Sequence, residues 1–518
     1  MLKITNLRAE IGFDLETVRK KVEKILGTNK INNLKITKRA IDARRKKDVH
    51  YVLSVELDVK NEDLILKKNI PNVERKNEEV FIFPKATPKK CRPVIVGTGP
   101  AGLFCALYLA RSGYNPIVLE RGGDVDSRQK DVERYFSQGK LNTESNIQFG
   151  EGGAGTFSDG KLNTGTKNIR IRAVLEEFVS HGASPDILIN SKPHIGTDVL
   201  REVVKNIRKE IISLGGEVRF NSKLTDLEIS YGEIRGVYVG NEFIKTDTVI
   251  LAIGHSARDT MEMLKERHVK MEKKPFSIGA RIEHSQDFIG KAMYGDFYKS
   301  LPPADYKMAV HLPNGRSLYT FCMCPGGFVV ASASEKDTIV TNGMSYSDRG
   351  GKNANSAVLV GITPDDFPDS DVLSGMYLQR EIEQKAYILG KGKAPAETLG
   401  SFLKRGEKNE ITNVIPTYKP GVTMCDLSHL FPEFIYKSLF DGLLMMDKKI
   451  PGFASSDAVL TAPETRSSSP VKMIRQENMM LSIKGLYSAG EGGGFAGGIT
   501  SSAVDGIKVA EAVVYNNN

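Results

Sequence analysis

Three glycines, Gly97, Gly99 and Gly102, follow the apolar run Val94-Ile95-Val96 and open a second apolar stretch that begins Pro100-Ala101. Glycines at this spacing between a strand and a helix suit a dinucleotide. The first permits the tight turn, the second lets backbone approach a pyrophosphate, and the third lets the helix pack on the strand, while the helix N-terminus offers free N–H groups and partial positive charge. Glu120 ends the next apolar run, where its carboxylate can take the ribose hydroxyls and repel a 2′-phosphate. NADP is therefore disfavoured at this turn, and the choice narrows to FAD or NAD.

Three further segments select between them by resemblance. Residues 93–122, ending Val118-Leu119-Glu120-Arg121-Gly122, resemble the N-terminal fingerprint of the FAD-binding domain of glutathione-reductase-type flavoproteins. Residues 246–254, ending Ala252-Ile253-Gly254, resemble its middle motif, and residues 485–491, ending Ala489-Gly490-Glu491, resemble its C-terminal motif, whose acid binds a ribityl hydroxyl. The broader superfamily usually has Asp where this chain has Glu491. Along nearly its whole length the chain is similar to a bacterial family of FAD-dependent, or NAD/FAD-utilising, dehydrogenases. The distinctive matches are Asn146 to Lys161, Thr320-Phe321-Cys322-Met323-Cys324-Pro325-Gly326-Gly327, and Glu464 to Pro470. The resemblance implies a flavoprotein oxidoreductase and supplies no substrate.

Residues 150–156 hold four glycines in seven positions, so Gly152, Gly153, Ala154, Gly155 and Thr156 can turn backbone N–H groups toward an anion or approach the isoalloxazine ring, with Asp159 and Lys161 nearby. The glycine run from Gly492 leads into Gly498, Ile499 and Thr500 at the start of the last helix, whose N-terminus would favour negative charge on a reduced flavin.

Side chains facing the flavin are expected from an inserted domain. In Arg281-Ile282-Glu283-His284, strand alternation puts Arg281 and Glu283 on one face and Ile282 and His284 on the other; Arg281 and a neighbouring acid also read as a structural ion pair. Arg466, in a Ser/Thr-rich stretch, is a candidate grip on an anionic substrate or cofactor group. Cys322 and Cys324 stand two apart and project the same way, either as buried thiols or as a redox pair. No metal site is expected, since the usual set of four ligands is not assembled anywhere.

Positioning these groups requires several domains, and the 518 residues suffice for two to four. The expected fold class is α/β, with a Rossmann-type FAD-binding domain (residues 91–265 and 481–518), an inserted mixed or antiparallel sheet domain (266–480) and a small basic α+β domain with a linker (1–90). In the last of these, Asp14 caps a helix with Leu15, Val18, Val22, Ile25 and Leu26 on its apolar face, and Tyr51, Leu53, Val55 and Leu57 alternate on a strand. Alternating runs at 275–335 and 400–426 supply the inserted sheet. Residues 1–90 hold 22 Lys/Arg against 13 Asp/Glu, so the whole net charge of +9 lies there.

Composition, 40% hydrophobic and 26% charged, excludes a disordered or fibrous chain, and five cysteines exclude a secreted disulfide framework. Neither a signal peptide nor a membrane span is legible. The expectation is a cytoplasmic FAD enzyme passing hydride between flavin N5 and a small organic substrate, with NAD(P)H docking transiently as electron donor. Alternatives are a flavin monooxygenase, or an RNA-modifying flavoprotein whose residues 1–90 make weak contact with nucleic acid or an acidic protein.

Overall fold

The computed structural model describes residues 1–77, 79–85, 91–404 and 408–517. Of the Pro- and Lys-rich linker expected at 84–90, residues 86–90 lie outside the described residues.

The half that carries the glycine turn is organised by five short parallel strands, in the order Leu486–Ser488, Val249–Leu251, Val94–Val96, Ile117–Leu119 and Glu217–Arg219. The first four are buried throughout, which is why they read as continuous apolar runs rather than alternating ones. The helix Pro100–Arg111 crosses from Val94–Val96 to Ile117–Leu119 and packs against the last helix, Ile499–Asn517. Proline at its first position loses no hydrogen bond, because that N–H would be unpaired in any case. Ala503, Ile507, Val509, Ala510, Val513 and Val514 are all buried, so the last helix is apolar on more than one face.

The second large sheet has seven strands, ordered Ala309–His311, Ser317–Cys324, Asn353–Ile362, Phe276–Ser285, Val459–Glu464, Ala394–Thr398 and Val422–Met424. Every pairing is antiparallel except the last, so the sheet is mixed. Its centre is the Phe276–Ser285 and Asn353–Ile362 pair, and the second of these strands lies outside the stretches where strands were expected. Residues 400–426 correct the sequence reading: their described residues contain the end of a short helix, Leu399–Phe402, and only one strand, Val422–Met424. Pro416 and Pro420, with Gly421 at φ 124°, keep most of that stretch out of a ladder.

Residues 1–77 form a four-stranded antiparallel sheet with its own apolar cluster. Asp14 caps the helix Leu15–Leu26 by accepting from the Thr17 amide at 2.7 Å, and Gly27 ends it at φ 67°. Val18, Val22 and Leu26 face the core, whereas Leu15 and Ile25 are exposed, so the buried stripe is narrower than expected. The strand Ile31–Asp42 docks on the half that carries the glycine turn: the Arg39 amide donates to the Ile189 carbonyl at 2.7 Å, and the Ser191 amide donates to the Arg39 carbonyl at 2.9 Å.

Candidate active site

The glycine turn is shaped by close approach. Gly97 sits at φ 102°, and a Cβ there would overlap the Ala252 carbonyl; one on Gly102 would overlap the carbonyl of Gly97. The loop at 150–156 lies over this turn. The Gly152 amide donates to the Thr98 carbonyl at 2.9 Å, and a Cβ on Gly153 would come 2.9 Å from the Gly99 Cα. Gly155 reaches the last helix, where a Cβ would stand 3.0 Å from Ile499.

Glu120 ties these parts together. One carboxylate oxygen accepts from the Thr98 amide and hydroxyl at 3.0 and 2.5 Å, the other from the Gly122 and Gly150 amides at 2.9 and 3.0 Å. Arg128, which the sequence reading missed, pins the same loop from beneath. Fully buried, it donates to the carbonyls of Asn146, Ile147 and Glu151 at 2.7–2.8 Å, and burial lowers its pKa to about 10. No local motif marks it; only its place on a helix beside the loop does.

Above the turn a cavity of about 1040 Å³ opens, at the top of the range for ligand pockets, roughly 300–1,000 Å³. Gly97, Gly99, Pro100, Ala101, Glu120, Arg121, Gly153, Ala154, Gly155, Ala252, Gly254, Glu491, Gly498 and Ile499 all line it. Gly102, Gly152, Thr156, Gly490 and Thr500 lie behind the wall; Thr500, for example, donates its hydroxyl to the Leu162 carbonyl at 2.7 Å. Arg121 is committed to Asp259, with two contacts at 2.9 Å, and stacks on Phe149. Arg39, Ile41 and Tyr51 close one side of the cavity, so the N-terminal sheet is part of the site.

His255, directly after the Ala252-x-Gly254 motif, was not singled out from sequence although its position was legible there. Its Nδ1 lies 3.1 Å from a Glu491 carboxylate oxygen, while Nε2 is buried and has no hydrogen-bond partner among the described residues. The imidazole lines the cavity. A carboxylate at Nδ1 fixes the tautomer with the proton on that nitrogen, which leaves Nε2 as an acceptor. A buried unpaired nitrogen, a glycine cradle and a cavity of this volume suit a dinucleotide bearing polar groups along its length.

On the inserted-sheet side, Cys322 and Glu464 line the cavity with Arg281 behind them. Arg281 is fully buried, and its guanidinium clasps Glu464 at 2.5 and 2.8 Å, not its strand neighbour Glu283. Burial pushes the Glu464 carboxyl up to about 7, partly offset by Arg281. Glu283 instead accepts from the Thr417 hydroxyl at 2.6 Å and the Asn353 amide at 3.0 Å. His284 does not reach the cavity. Its side chain points into the core of the inserted domain, where Nε2 meets the Phe453 carbonyl at 2.7 Å and burial lowers its pKa to about 4.

Arg466 stands in the cavity wall, but its guanidinium is occupied. It donates to Glu383 at 2.8 and 3.0 Å and to the hydroxyls of Ser256 and Ser334 at 3.1 and 2.5 Å, while Glu383 also holds Arg258 at 2.8 and 2.9 Å. Arg466 is thus built into a buried ion network rather than turned toward a ligand. Among the described residues no group of three or more His, Cys, Asp or Glu could hold a metal, and no helix is long and apolar enough to cross a membrane.

Residues 275–467 match the family described as FAD-dependent protein, C-terminal domain-like; residues 95–139 match the NAD(P)-binding Rossmann-like domain, and residues 1–58 match a domain of unknown function. An uncharacterized protein of Clostridium beijerinckii is 46% identical over 525 residues, spanning 99% of this chain and 98% of that protein. Solved structures that the chain matches include CtdE in complex with FAD, at 13% identity over 82% of this chain and 84% of that one, with a TM-score of 0.31. Glycine oxidase from Bacillus cereus matches at 10% identity over 83% of this chain and 98% of that one, with a TM-score of 0.34. This chain therefore belongs to one family with the C. beijerinckii protein, and it joins a Rossmann-like domain to the C-terminal domain of FAD-dependent proteins.

Proposed function

We propose that the protein is a cytoplasmic FAD-dependent dehydrogenase that moves hydride between flavin N5 and a small organic substrate, with NAD(P)H or another carrier docking transiently. The observation that carries this reading is convergence: the glycine turn, the loop at 150–156, Ala252 to His255 and Gly498-Ile499 all line one cavity, which the inserted and N-terminal sheets also wall. We assign residues 91–265 and 481–518 to the FAD domain, 266–480 to the substrate domain and 1–90 to a separate basic unit. All five cysteines are free, which fits a reducing compartment.

Bound FAD would supply two-electron chemistry at its ring. The turn at Gly97–Gly102 and the loop at Gly153–Gly155 would hold its pyrophosphate through backbone N–H groups. A ribose hydroxyl would reach Glu120 by replacing the Thr98 hydroxyl, the one rotatable donor on that carboxylate. The N-terminus of the Ile499–Asn517 helix would set partial positive charge against the cofactor. His255, held by Glu491, can accept a proton at Nε2 from a group in the cavity, and the resulting imidazolium would be stabilised by the carboxylate. The testing experiment is anaerobic absorbance of the purified protein against NADH, NADPH and a metabolite panel. Bleaching of a bound flavin by one of these supports the reading, and a flavin reoxidised only with stoichiometric oxygen insertion into substrate replaces it with a monooxygenase.

A further inference from the structure

We propose that Cys322 and Cys324 form a dithiol that reduces a small disulfide entering the cavity, with Cys322 as the attacking thiolate and Cys324 as the resolving thiol. The inference goes beyond the flavin reading and does not depend on it.

The backbone brings the two sulfurs together. In a regular strand, residues two apart project from one face roughly 6.6 Å apart, too far for an S–S bond. Here the pairing of Ser317–Cys324 with Asn353–Ile362 slips between Phe321 and Cys324, and Cys322 takes φ 43°, a left-handed conformation unfavourable for any residue with a Cβ. This bulge folds Cys324 back toward its partner, so that Cys324 Sγ lies 3.2 Å from the Cys322 carbonyl. Cys322 lines the cavity, half-buried, with Cys324 buried behind it. Two glycines make the room: a Cβ on Gly343 would fall 2.8 Å from Cys324 Sγ and 2.5 Å from an Arg281 nitrogen, and one on Gly327 would fall 2.9 Å from the Cys324 Cβ.

Charge around the pair calls for one more anion. Arg281 is clasped by Glu464, while Lys161 and Arg349 share the single carboxylate of Asp159, to which Lys161 donates at 2.7 Å and Arg349 at 2.5 and 3.0 Å. Lys161 also donates to the Met323 carbonyl, between the two cysteines. Three cations thus surround the pair, two of them sharing Asp159 and the third facing a Glu464 carboxyl that burial raises, so a thiolate at Cys322 supplies an anion this cluster lacks. Cys324 first, then Arg281 and Lys161, lower the Cys322 thiol below its ordinary value against burial and the charge of Asp159, while Cys324 is held well above the ordinary thiol value and keeps its proton.

The reaction balances in two exchanges. The Cys322 thiolate attacks one sulfur of R–S–S–R, a Cys322–S–S–R bond forms, and one R–S⁻ leaves, taking the proton of Cys324. The Cys324 thiolate then attacks the Cys322 sulfur, closing the Cys322–Cys324 disulfide and expelling the second R–S⁻, which is protonated by water. The cysteine pair loses two electrons, and the disulfide becomes two thiols. A dithiol reductant, dithiothreitol in the experiment, returns the pair to its starting state by the reverse pair of exchanges.

The test uses the full chain carrying Cys91→Ser and Cys425→Ser, with 5,5′-dithiobis(2-nitrobenzoate) as the disulfide. The expected result is release of two thionitrobenzoates per chain at pH 6, with Cys322 and Cys324 recovered as one intramolecular disulfide by peptide mass. Adding Cys324→Ser should halve the release and leave the probe on Cys322. Release at pH 6 should be faster than from an ordinary thiol, and Lys161→Gln should slow it at that pH. A folded parent protein whose Cys322 is unreactive at pH 6, or keeps the probe as a mixed disulfide beside an intact Cys324, overturns the proposal. Bound FAD is assayed on the same sample, so a missing flavin counts against the proposed function and leaves the thiol result to be read alone.

Discussion

At the scale of the residue, the site depends on which side chains are already satisfied and which are not. Arg466 is satisfied. Removing it as Arg466→Ala leaves Glu383 buried beside one guanidinium instead of two, and breaking a buried pair destabilises by about 3–5 kcal/mol. Urea unfolding should register that loss, in contrast to the modest effect expected for an exposed substrate grip. Glu383 is held at about 2 by Arg258 and Arg466 against burial, below its ordinary value of 4.5. A carboxylate depressed in this way contributes stability that is complete above the ordinary value and is lost as pH falls through about 2. Between pH 4.5 and 2 the parent protein should therefore lose stability more steeply than Arg466→Ala, as urea midpoints across that window would show. His255 is the opposite case, with one nitrogen oriented by Glu491 and the other open. With Nε2 as the proton acceptor, His255→Gln should lower turnover by about 10²–10⁴-fold. Retention of FAD in that variant separates a proton-handling role from cofactor binding. Sequence alone could place His255 beside the motif but could not show Glu491 facing it, because the two are brought together only by the fold.

At the scale of the element, the glycine turn and the loop at 150–156 form one device. Gly153→Ala would add a Cβ within 2.9 Å of the Gly99 Cα at a residue whose φ is 63°, so the two segments would have to separate. Loss of FAD with little change in far-UV circular dichroism is the expected outcome; normal FAD retention would show that the loop does not shape the pyrophosphate site. These elements were readable from sequence because parallel strands buried on both faces leave continuous apolar runs and the turn demands glycine. The inserted sheet was readable only in part. Its strand Asn353–Ile362 is buried at nine of ten positions, so it carries no polar alternation, while the Pro-containing stretch at 400–426 imitates strands that do not form. The pairing of Arg281 with Glu464 was hidden for a similar reason, since it crosses between strands 183 residues apart.

At the scale of the whole molecule, the N-terminal sheet has its own core and also walls the cavity. Truncation after residue 90 should leave the glycine turn intact and FAD bound, yet turnover should fall because Arg39, Ile41 and Tyr51 no longer close the cavity. Part of the basic charge in this unit is paired, Arg8 with Asp48, Arg44 with Asp42, Arg75 with Asp63 and Lys76 with Glu56, and the rest is spread over its surface. Nucleic-acid binding by the full chain should therefore be weak and vanish near physiological salt in a filter or anisotropy titration. All of this rests on the claim that the cavity above Gly97 to Gly102 holds FAD. The most direct measurement is identification of the chromophore released when the purified protein is denatured. FAD in stoichiometric amount, lost in Gly99→Val while the fold persists, is the expected result; a colourless protein that cannot be reconstituted with FAD would contradict the account.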